Sequence, residues 1–401
     1  MWSSDESSAG YAGWRVVAAC FLCALFCWGL GLYSHGVYLT ELNRLHGWPT
    51  AWISVGVTGF YLLTAGLVVF IGDAIARSGP KSVMLVGACC FSSAVALLAF
   101  IDAIWQLYLV YLLMAVGAAT MHVGAISTVV GLWFDKKRPL AISLALNGAS
   151  SGGILVTPVL VLAIGQFTFP TAILGAALIM AAVLIPAILF WIGRPARATT
   201  QASTTPIATA WTRARALRSA KFWSVAAPCA LALTAQVGFL VHQIPALEPR
   251  MGRQQAALSV AALTVAAISG RFGLGAYANR LDIRHFAAWS LASQAVALLT
   301  IIVVDNAAVQ IAACVLFGLS AGNLLTLPAL VIQREFEAAA FGTLVALSWA
   351  IIQFTYSFGP GLLGVVRDAT GSYAAPFAIC AALDIAAAAL MLLRPGRSER
   401  H

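Results

Sequence analysis

Gly72-Asp-Ala-Ile-Ala-Arg77-Ser-Gly-Pro-Lys81 stands between two long apolar runs, and Gly275-Ala-Tyr-Ala-Asn-Arg280-Leu-Asp-Ile-Arg284 stands between two more in the second half of the chain. Glycine, arginine and a closing cation fall at the same spacing in both. A polar break repeated in matching apolar surroundings marks an internally duplicated chain. A fainter echo pairs His35 with His242, each followed six residues on by an acid, Glu41 and Glu248.

Outward from these breaks, runs long enough to cross a hydrocarbon core of about 30 Å recur at 14–40, 50–72, 82–101, 104–132, 140–165, 169–193, 222–247, 255–278, 285–304, 307–331, 339–366 and 373–393. They are continuously apolar, not alternating in strand-length pieces, so helices and not a closed barrel are expected. With 61% hydrophobic and 9% charged residues, the chain falls outside the class of ordinary water-soluble domains. The expected fold is an all-α membrane protein of twelve transmembrane helices in two pseudo-symmetric six-helix bundles. The longest polar break, Arg194 to Lys221, sets a division into a bundle at 1–193, a cytoplasmic linker at 194–221 and a second bundle at 222–401. Within the linker, Thr199-Thr-Gln-Ala-Ser-Thr-Thr-Pro206 is followed by Trp211-Thr-Arg-Ala-Arg-Ala-Leu-Arg218. The second piece reads as a short amphipathic helix on the membrane surface, Trp211 and Leu217 down, or as a plain tether.

Placing the amino terminus in the cytoplasm puts eighteen lysines and arginines inside and four outside: Arg44, Arg250, Arg253 and Arg367. That asymmetry is what topology selection produces, so both termini are expected in the cytoplasm and the chain in the plasma membrane. The net charge of +9 then reports topology and contact with anionic inner-leaflet lipid, and no nucleic-acid partner is expected. The acidic start, Met1-Trp-Ser-Ser-Asp-Glu, and the length of the first run predict a retained helix and not a cleaved signal. All eight cysteines lie in apolar runs as small hydrophobes. Cys20, Cys23 and Cys27 share a helical face, but no second Cys or His cluster stands at zinc spacing, so no metal site and no cofactor is expected. Without a nucleotide loop, a metal cluster or paired in-membrane carboxylates, the chain does not read as an enzyme.

Gly72-x-x-x-Ala-Arg77-x-Gly79-x-Lys81 resembles the loop signature of the major facilitator superfamily, with Ala76 where that family usually has aspartate and Asp73 displaced by three. Gly13-Trp14, His46-Gly47-Trp48 and Trp133-Phe134-Asp-Lys-Lys-Arg138-Pro-Leu-Ala141 are similar to the branch of monocarboxylate transporters and oxalate:formate antiporters. The resemblance implies secondary transport by alternating access, with a site near mid-membrane between the halves. It also implies a helix-eight arginine that binds the substrate carboxylate, and Arg271 in Arg271-Phe-Gly-Leu-Gly-Ala-Tyr-Ala-Asn279 matches it.

Arg271 draws attention on physical grounds as well, because no other lysine or arginine falls inside a stretch that reads as buried in the membrane. A cation at that depth costs about 2.5–3.5 kcal/mol and is kept where a partner, a wet cavity or an anionic substrate offsets it. The rival to a substrate carboxylate is Asp384, the only acid in a predicted span. Proton coupling needs a group that titrates near neutral pH, and in the spans the choices are His35, His122 and His242, each also readable as a hydrogen-bonded structural histidine. His122 sits mid-helix on the fourth span, where the resemblance places polar substrate contacts. His35 and His242 lie nearer the outer ends and fit an outer gate. Relatives with a helix-one lysine and an acid four residues before the helix-eight arginine find no match here, since position 267 is Ala. Tyr33, Asn147 and Asn323 either complete a cavity or join helices by hydrogen bonds. Trp349 falls where the resemblance places a cavity aromatic, followed at helical spacing by Gln353 and Tyr356; core or lipid packing is its other reading. Asp73, Arg77, Arg138 and Arg280 at cytoplasmic helix ends read as gate charges or as topogenic ones. Gly148-Ala-Ser-Ser-Gly152-Gly-x-x-x-x-Pro158 predicts close packing and a bend.

The chain is thus expected to move a small organic anion, with proton symport as the first reading of coupling and anion exchange as the second. The resemblance places a helix-eleven lysine in relatives that act on dicarboxylates; Gly342 to Val366 contains none, which implies a single carboxylate. An exporter of cationic drugs would want a membrane acid, which leaves only Asp384, and a non-transporting receptor would want a signalling domain. A monomer in the lipid bilayer is expected.

Overall fold

Twelve helices of membrane-crossing length and composition follow one another in the computed structural model, which describes residues 6, 8, 11–193, 211–277, 282–337 and 340–393. They are α1 (Gly13–Tyr33), α2 (Thr50–Ser78), α3 (Pro80–Phe100), α4 (Ile104–Gly131), α5 (Leu140–Gln166), α6 (Phe169–Trp191), α7 (Ala220–Met251), α8 (Arg253–Gly273), α9 (Ile283–Val303), α10 (Ala307–Leu324), α11 (Phe341–Thr370) and α12 (Ala374–Leu392). Long apolar runs form helices here because each backbone N–H and C=O must find a partner within its own segment.

The departures from straight helix are local and have identifiable causes. In α1, Gly29–Tyr33 is a wide π-turn, closed by the Ser34 N–H on the Gly29 carbonyl at 3.0 Å, after which His35–His46 continues as helix until Gly47 at φ 68°. α5 carries a second π-turn at Gly152–Val156, just ahead of Pro158. α4 is broken at His122, whose φ −71° and ψ 167° are extended, between Ile104–Met121 and Val123–Gly131. α10 ends at Leu324 and restarts as Leu327–Glu335, where Pro328 has no N–H to offer the preceding turn. α11 pauses at Ser357 and Phe358, ahead of Pro360. The expected runs 307–331 and 339–366 therefore each cover two helices.

The chain forms two compact units. One comprises the described residues up to Trp48 with those from Gly59 to Gly193; the other comprises Pro49–Thr58 and those from Trp211 onward. The first turns of α2 belong to the second unit, where Asp368 accepts from the Ala51 N–H at 2.6 Å and Thr58 Oγ1 accepts from the Gly361 N–H at 3.0 Å. In the first unit α1 packs on α5, and α3 on α4 and α6; in the second α8 packs on α10, and α12 on α7 and α9.

Glycine sets the closest of these contacts. A Cβ on Gly148 or Gly152 of α5 would lie 2.0 Å from the Phe21 carbonyl oxygen or 2.4 Å from that of Leu25. On the α8–α10 seam, a Cβ on Gly270, Gly318 or Gly322 would lie 1.9–2.2 Å from the carbonyl oxygens of Leu319, Leu263 and Ala267. Small residues that let backbones touch replace the hydrophobic driving force that lipid withholds.

The closing cations of the repeated sequence break have matching jobs. Lys81 Nζ donates to the Leu189 carbonyl at the end of α6 at 2.6 Å. Arg284, 1% exposed, donates through Nη1 to the carbonyls of Met391 and Leu393 at the end of α12, at 2.9 and 2.8 Å. Each cation thus satisfies orphan carbonyls at the last helix of its own unit. The rest of the Arg284 fork grips Glu335, with Nε–Oε1 at 2.6 Å and Nη2–Oε2 at 2.8 Å.

Residues 199–206 lie outside the described residues, while Trp211 packs edge-on against Phe336 at 4.9 Å and Leu217 is 45% exposed. The short helix Arg213–Leu217 is therefore docked on the second unit through Trp211, with Leu217 turned outward.

Arg284→Met leaves Glu335 without its fork and the α12 carbonyls without a donor. It should lower stability by about 3 kcal/mol, the low end for a broken buried pair because Glu335 keeps some contact with water. Thermal unfolding in detergent measures this, and Arg284→Lys should recover only part; an unchanged midpoint for the Met variant would show the fork to be dispensable.

Candidate functional site

In the second unit, Arg271 is half-buried on α8 beside Gly270, and its Nε donates to the Gly322 carbonyl of α10 at 3.2 Å. The glycine seam brings α10 close enough for that bond. Asn323, the next residue of α10, is 3% exposed; its amide nitrogen donates to Leu319 at 3.1 Å and its Oδ1 is buried without a hydrogen-bond partner. Arg271 and Asn323 are thus gathered at one point, one turn before α10 breaks. Asp384 is no partner of Arg271: both of its carboxylate oxygens are buried on α12 with no hydrogen bond. The rival reading of a helix-stapling salt bridge between the two is removed.

Trp349 and Gln353 on α11 are half-buried, and no hydrogen bond joins either to Arg271 or Asn323 among the described residues. Trp349 packs against the apolar core of its own unit. His242 of α7 is fully buried and saturated. Its Nε2 donates to the Pro360 carbonyl at 2.9 Å, its Nδ1 lies 3.5 Å from the Tyr373 hydroxyl, and Ser54 Oγ is 3.4 Å from Nε2. Because a carbonyl only accepts, the Pro360 contact puts a proton on Nε2. The network ties α7 to the interrupted part of α11 and to the first turns of α2, together with the Asp368 and Thr58 contacts above. Sequence reasoning missed Ser54, Thr58 and Asp368, since hydrogen bonds between residues 188 to 317 positions apart leave no local signal.

In the first unit, His122 is the break in α4. Its carbonyl accepts from the Ile126 N–H at 3.0 Å, and its ring stacks on Trp28 of α1 with centroids 5.4 Å apart. The first N–H groups of Val123–Gly131 have no intrahelical acceptor, so this mid-membrane break presents the positive end of a half-helix, the geometry that suits an anion. Tyr33 is half-buried and closes the π-turn of α1. His35 is 0% exposed, enclosed by Tyr38, Phe60, Tyr61 and Tyr111 with ring centroids at 5.9, 5.1, 5.9 and 5.4 Å. Neither of its nitrogens has a hydrogen-bond partner. The four rings come from three helices, and nothing in the sequence around His35 announced them.

The gate charges are dispersed. Asp73 and Arg77 are exposed near the end of α2, and no ion pair joins them to each other or to Arg138 among the described residues. Arg138 lies with its guanidinium against Gly131, at the end of α4. Arg280 lies outside the described residues. The echo acids each hold an arginine: Glu41 pairs with Arg44 at 3.1 Å and Glu248 with Arg253 at 3.5 Å. The loop before Arg138 is pinned from the amino-terminal side, where the Tyr11 hydroxyl donates to the Trp133 carbonyl and Glu6 accepts from the Asp135 and Lys137 N–H groups, both at 2.9 Å.

Comparison with known proteins agrees with this architecture. The sequence matches the Major Facilitator Superfamily over residues 21–360. It is 29% identical over 388 residues to monocarboxylate transporter 11 of Mus musculus, covering 92% of this chain and 84% of that one. An MFS-type transporter of Bacillus subtilis, YcxA, is 24% identical over 352 residues and 82% of each chain. Among solved structures, the nucleoside transporter NupG superposes with a TM-score of 0.77 at 13% identity, over 95% of this chain and 98% of that one, which speaks to the fold alone.

The Lys137 and Asp135 N–H groups hold the Glu6 carboxyl below its ordinary range. A depressed carboxyl stabilises its contacts above the unfolded value and loses them as pH falls through the folded one. After correction for intrinsic rates, hydrogen exchange at the Asp135 and Lys137 amides should quicken on acidification with a midpoint under the ordinary 4.5 of a glutamate. Glu6→Gln should remove that transition; a midpoint shared by both proteins would assign it elsewhere.

Proposed function

Because the chain belongs to the Major Facilitator Superfamily, a family of transporters and not of enzymes, we propose that it carries a small organic anion bearing one carboxylate across the membrane by alternating access, coupled to protons. The observation that carries this reading is the orientation of Arg271. Its Nε is committed to the Gly322 carbonyl, which fixes the plane of the guanidinium on a helix that crosses the membrane. A planar fork held in one attitude suits a carboxylate, which it can meet with two parallel hydrogen bonds. In the first unit the half-helix beginning after His122 offers a second anion-seeking feature.

Each unit thus carries, by itself, one element that favours negative charge. Asn323, with an unused acceptor, serves an anion poorly through Oδ1 and suits a hydroxyl or the acid proton of a substrate instead. The similarity to a monocarboxylate transporter over most of both chains supports the same substrate class. The plasma membrane, a cytoplasmic location for both termini and a monomeric working unit complete the proposal, the first two resting on the distribution of lysine and arginine.

The test is uptake of labelled lactate, pyruvate, formate and oxalate into liposomes containing the pure protein, with and without an inward proton gradient. Gradient-stimulated uptake of a monocarboxylate is expected. Arg271→Gln should abolish it, and Arg271→Lys should fold yet lose about 2–4 kcal/mol of transport efficiency, roughly a hundredfold, because an ammonium cannot reproduce the fork. Near-normal uptake by the Lys variant would remove Arg271 from the site. Uptake that needs only an anion inside would convert the reading to exchange, and no uptake of any acid would refute it.

A further inference from the structure

The three intramembrane histidines occupy three different chemical situations. Both nitrogens of His242 face polar partners, at Pro360 and Ser54 on one side and Tyr373 on the other. His122 stacks on Trp28 and begins a half-helix. His35 alone is fully buried with both ring nitrogens lacking a hydrogen-bond partner. A buried imidazole in that condition loses its hydration without replacement, so it is held there by packing and not by polar bonding.

Four aromatic rings surround it. Tyr38 lies on its own helix, Phe60 and Tyr61 on α2 and Tyr111 on α4, all steeply tilted to the imidazole at 71–89° and with centroids within 6 Å. At that range ring faces attract a cation. The hydroxyls of Tyr38 and Tyr111 are themselves buried without hydrogen bonds, and the Gly31 carbonyl faces the imidazole from the π-turn without completing a well-formed bond. The titratable groups facing His35 are these three tyrosines; from α5 and α6 come Thr157, against Ser34 at 3.4 Å, and Phe169, against Tyr38. No carboxylate or second cation faces it among the described residues.

The position of the box in the fold gives it a means of opening. His35 follows directly on the π-turn Gly29–Tyr33, and that turn packs on the second π-turn, Gly152–Val156, through glycine: a Cβ on Gly29 would lie 2.7 Å from Val156 Cβ, and one on Gly152 would lie 2.7 Å from Gly29 N. π-Turns of this kind concentrate at functional sites, and closing this one to ordinary helix would pass its extra residue along the chain. Such a step would rotate the His35 segment relative to Phe60, Tyr61 and Tyr111.

We propose that His35 is the proton-binding residue of this transporter: shut in its aromatic box it is neutral, and it takes a proton only when the π-turn of α1 shifts and the box opens. Proton binding and the conformational change are then two faces of one equilibrium, since a proton that prefers the open box draws the chain toward it. The assignment deepens the proton-coupled reading above and gives the coupling proton a place separate from Arg271.

Two measurements test it. In liposomes loaded with the pH dye pyranine, wild-type protein should acidify the lumen when pyruvate enters, and a gradient of about one pH unit should raise internal pyruvate roughly tenfold if one proton accompanies each anion. His35→Gln should lose both, yet keep pyruvate-for-pyruvate exchange at equal pH within about twofold, because exchange needs no net proton movement. Continued acidification by His35→Gln would overturn the proposal. Tyr111→Leu, which opens one wall and keeps the imidazole, should retain coupling but shift its pH midpoint; an unshifted midpoint would count against the box. The second measurement needs no substrate: in the Tyr111→Leu background, where one wall of the box is open, dye titration of the detergent-solubilised protein between about pH 5 and 8 should show about one proton per chain fewer when His35→Gln is added. An equal count refutes the proposal even if no carboxylate is carried. A missing proton together with no transport of any acid would instead fault the substrate reading and leave His35 as the proton site.

Discussion

Three glycines let α8 and α10 run in backbone contact, and the placement of Arg271 follows from that contact. Gly270, Gly318 and Gly322 each sit where a Cβ would overlap a carbonyl oxygen of the facing helix. Arg271 is the neighbour of the first, and its Nε meets the carbonyl of the third. Were the helices separated by ordinary side chains, at the usual 8–10 Å between axes, the guanidinium would have to reach across the gap and would lose its fixed plane. The same device recurs in the first unit, where Gly148 and Gly152 seat α5 on the carbonyls of Phe21 and Leu25 in α1. Lipid gives helices no hydrophobic reason to associate, so dispersion across such seams carries much of the packing.

Tight seams make the interruptions more informative. A break in a membrane helix exposes N–H and C=O groups that water cannot reach, and it is tolerated where protein or a wet cavity satisfies them. The interrupted helices here are α1, α4, α5, α10 and α11, and α4 with α10, like α5 with α11, hold corresponding positions in the two halves of the repeat. Beside Pro360, the proline's own carbonyl accepts from His242 Nε2 at 2.9 Å and the Gly361 N–H donates to Thr58. At His122 no proline is involved, and extended backbone appears in an otherwise apolar helix.

The twelve spans, the helical class and the family were legible because they rest on local quantities, hydropathy over about twenty residues and a ten-residue polar break. Arg271 was legible for the same reason, being a charge out of place. What the sequence could not display was which polar groups would be satisfied. His242 and His35 look alike in sequence, each six residues before an acid, yet one is saturated by residues from three distant segments and the other is walled in by rings from three helices. Asp384 looked like a partner for Arg271 until its oxygens proved to be elsewhere and unbonded. In each case the deciding fact is a tertiary contact, and periodicity carries no information about it.

The repeated cation makes the argument for rigid halves. Lys81 and Arg284 close the same sequence break in the two parts of the chain, and each donates to the terminal carbonyls of the sixth helix of its own part. A helix end left with unsatisfied carbonyls frays, and a cation placed there also meets the negative end of the helix dipole. The bond therefore fastens the last helix to the start of the third, closing each set of six on itself. A half closed in this way resists shear among its helices, so a change of conformation is channelled into the places where helices are already interrupted. The first of those places along the chain is the π-turn that carries His35.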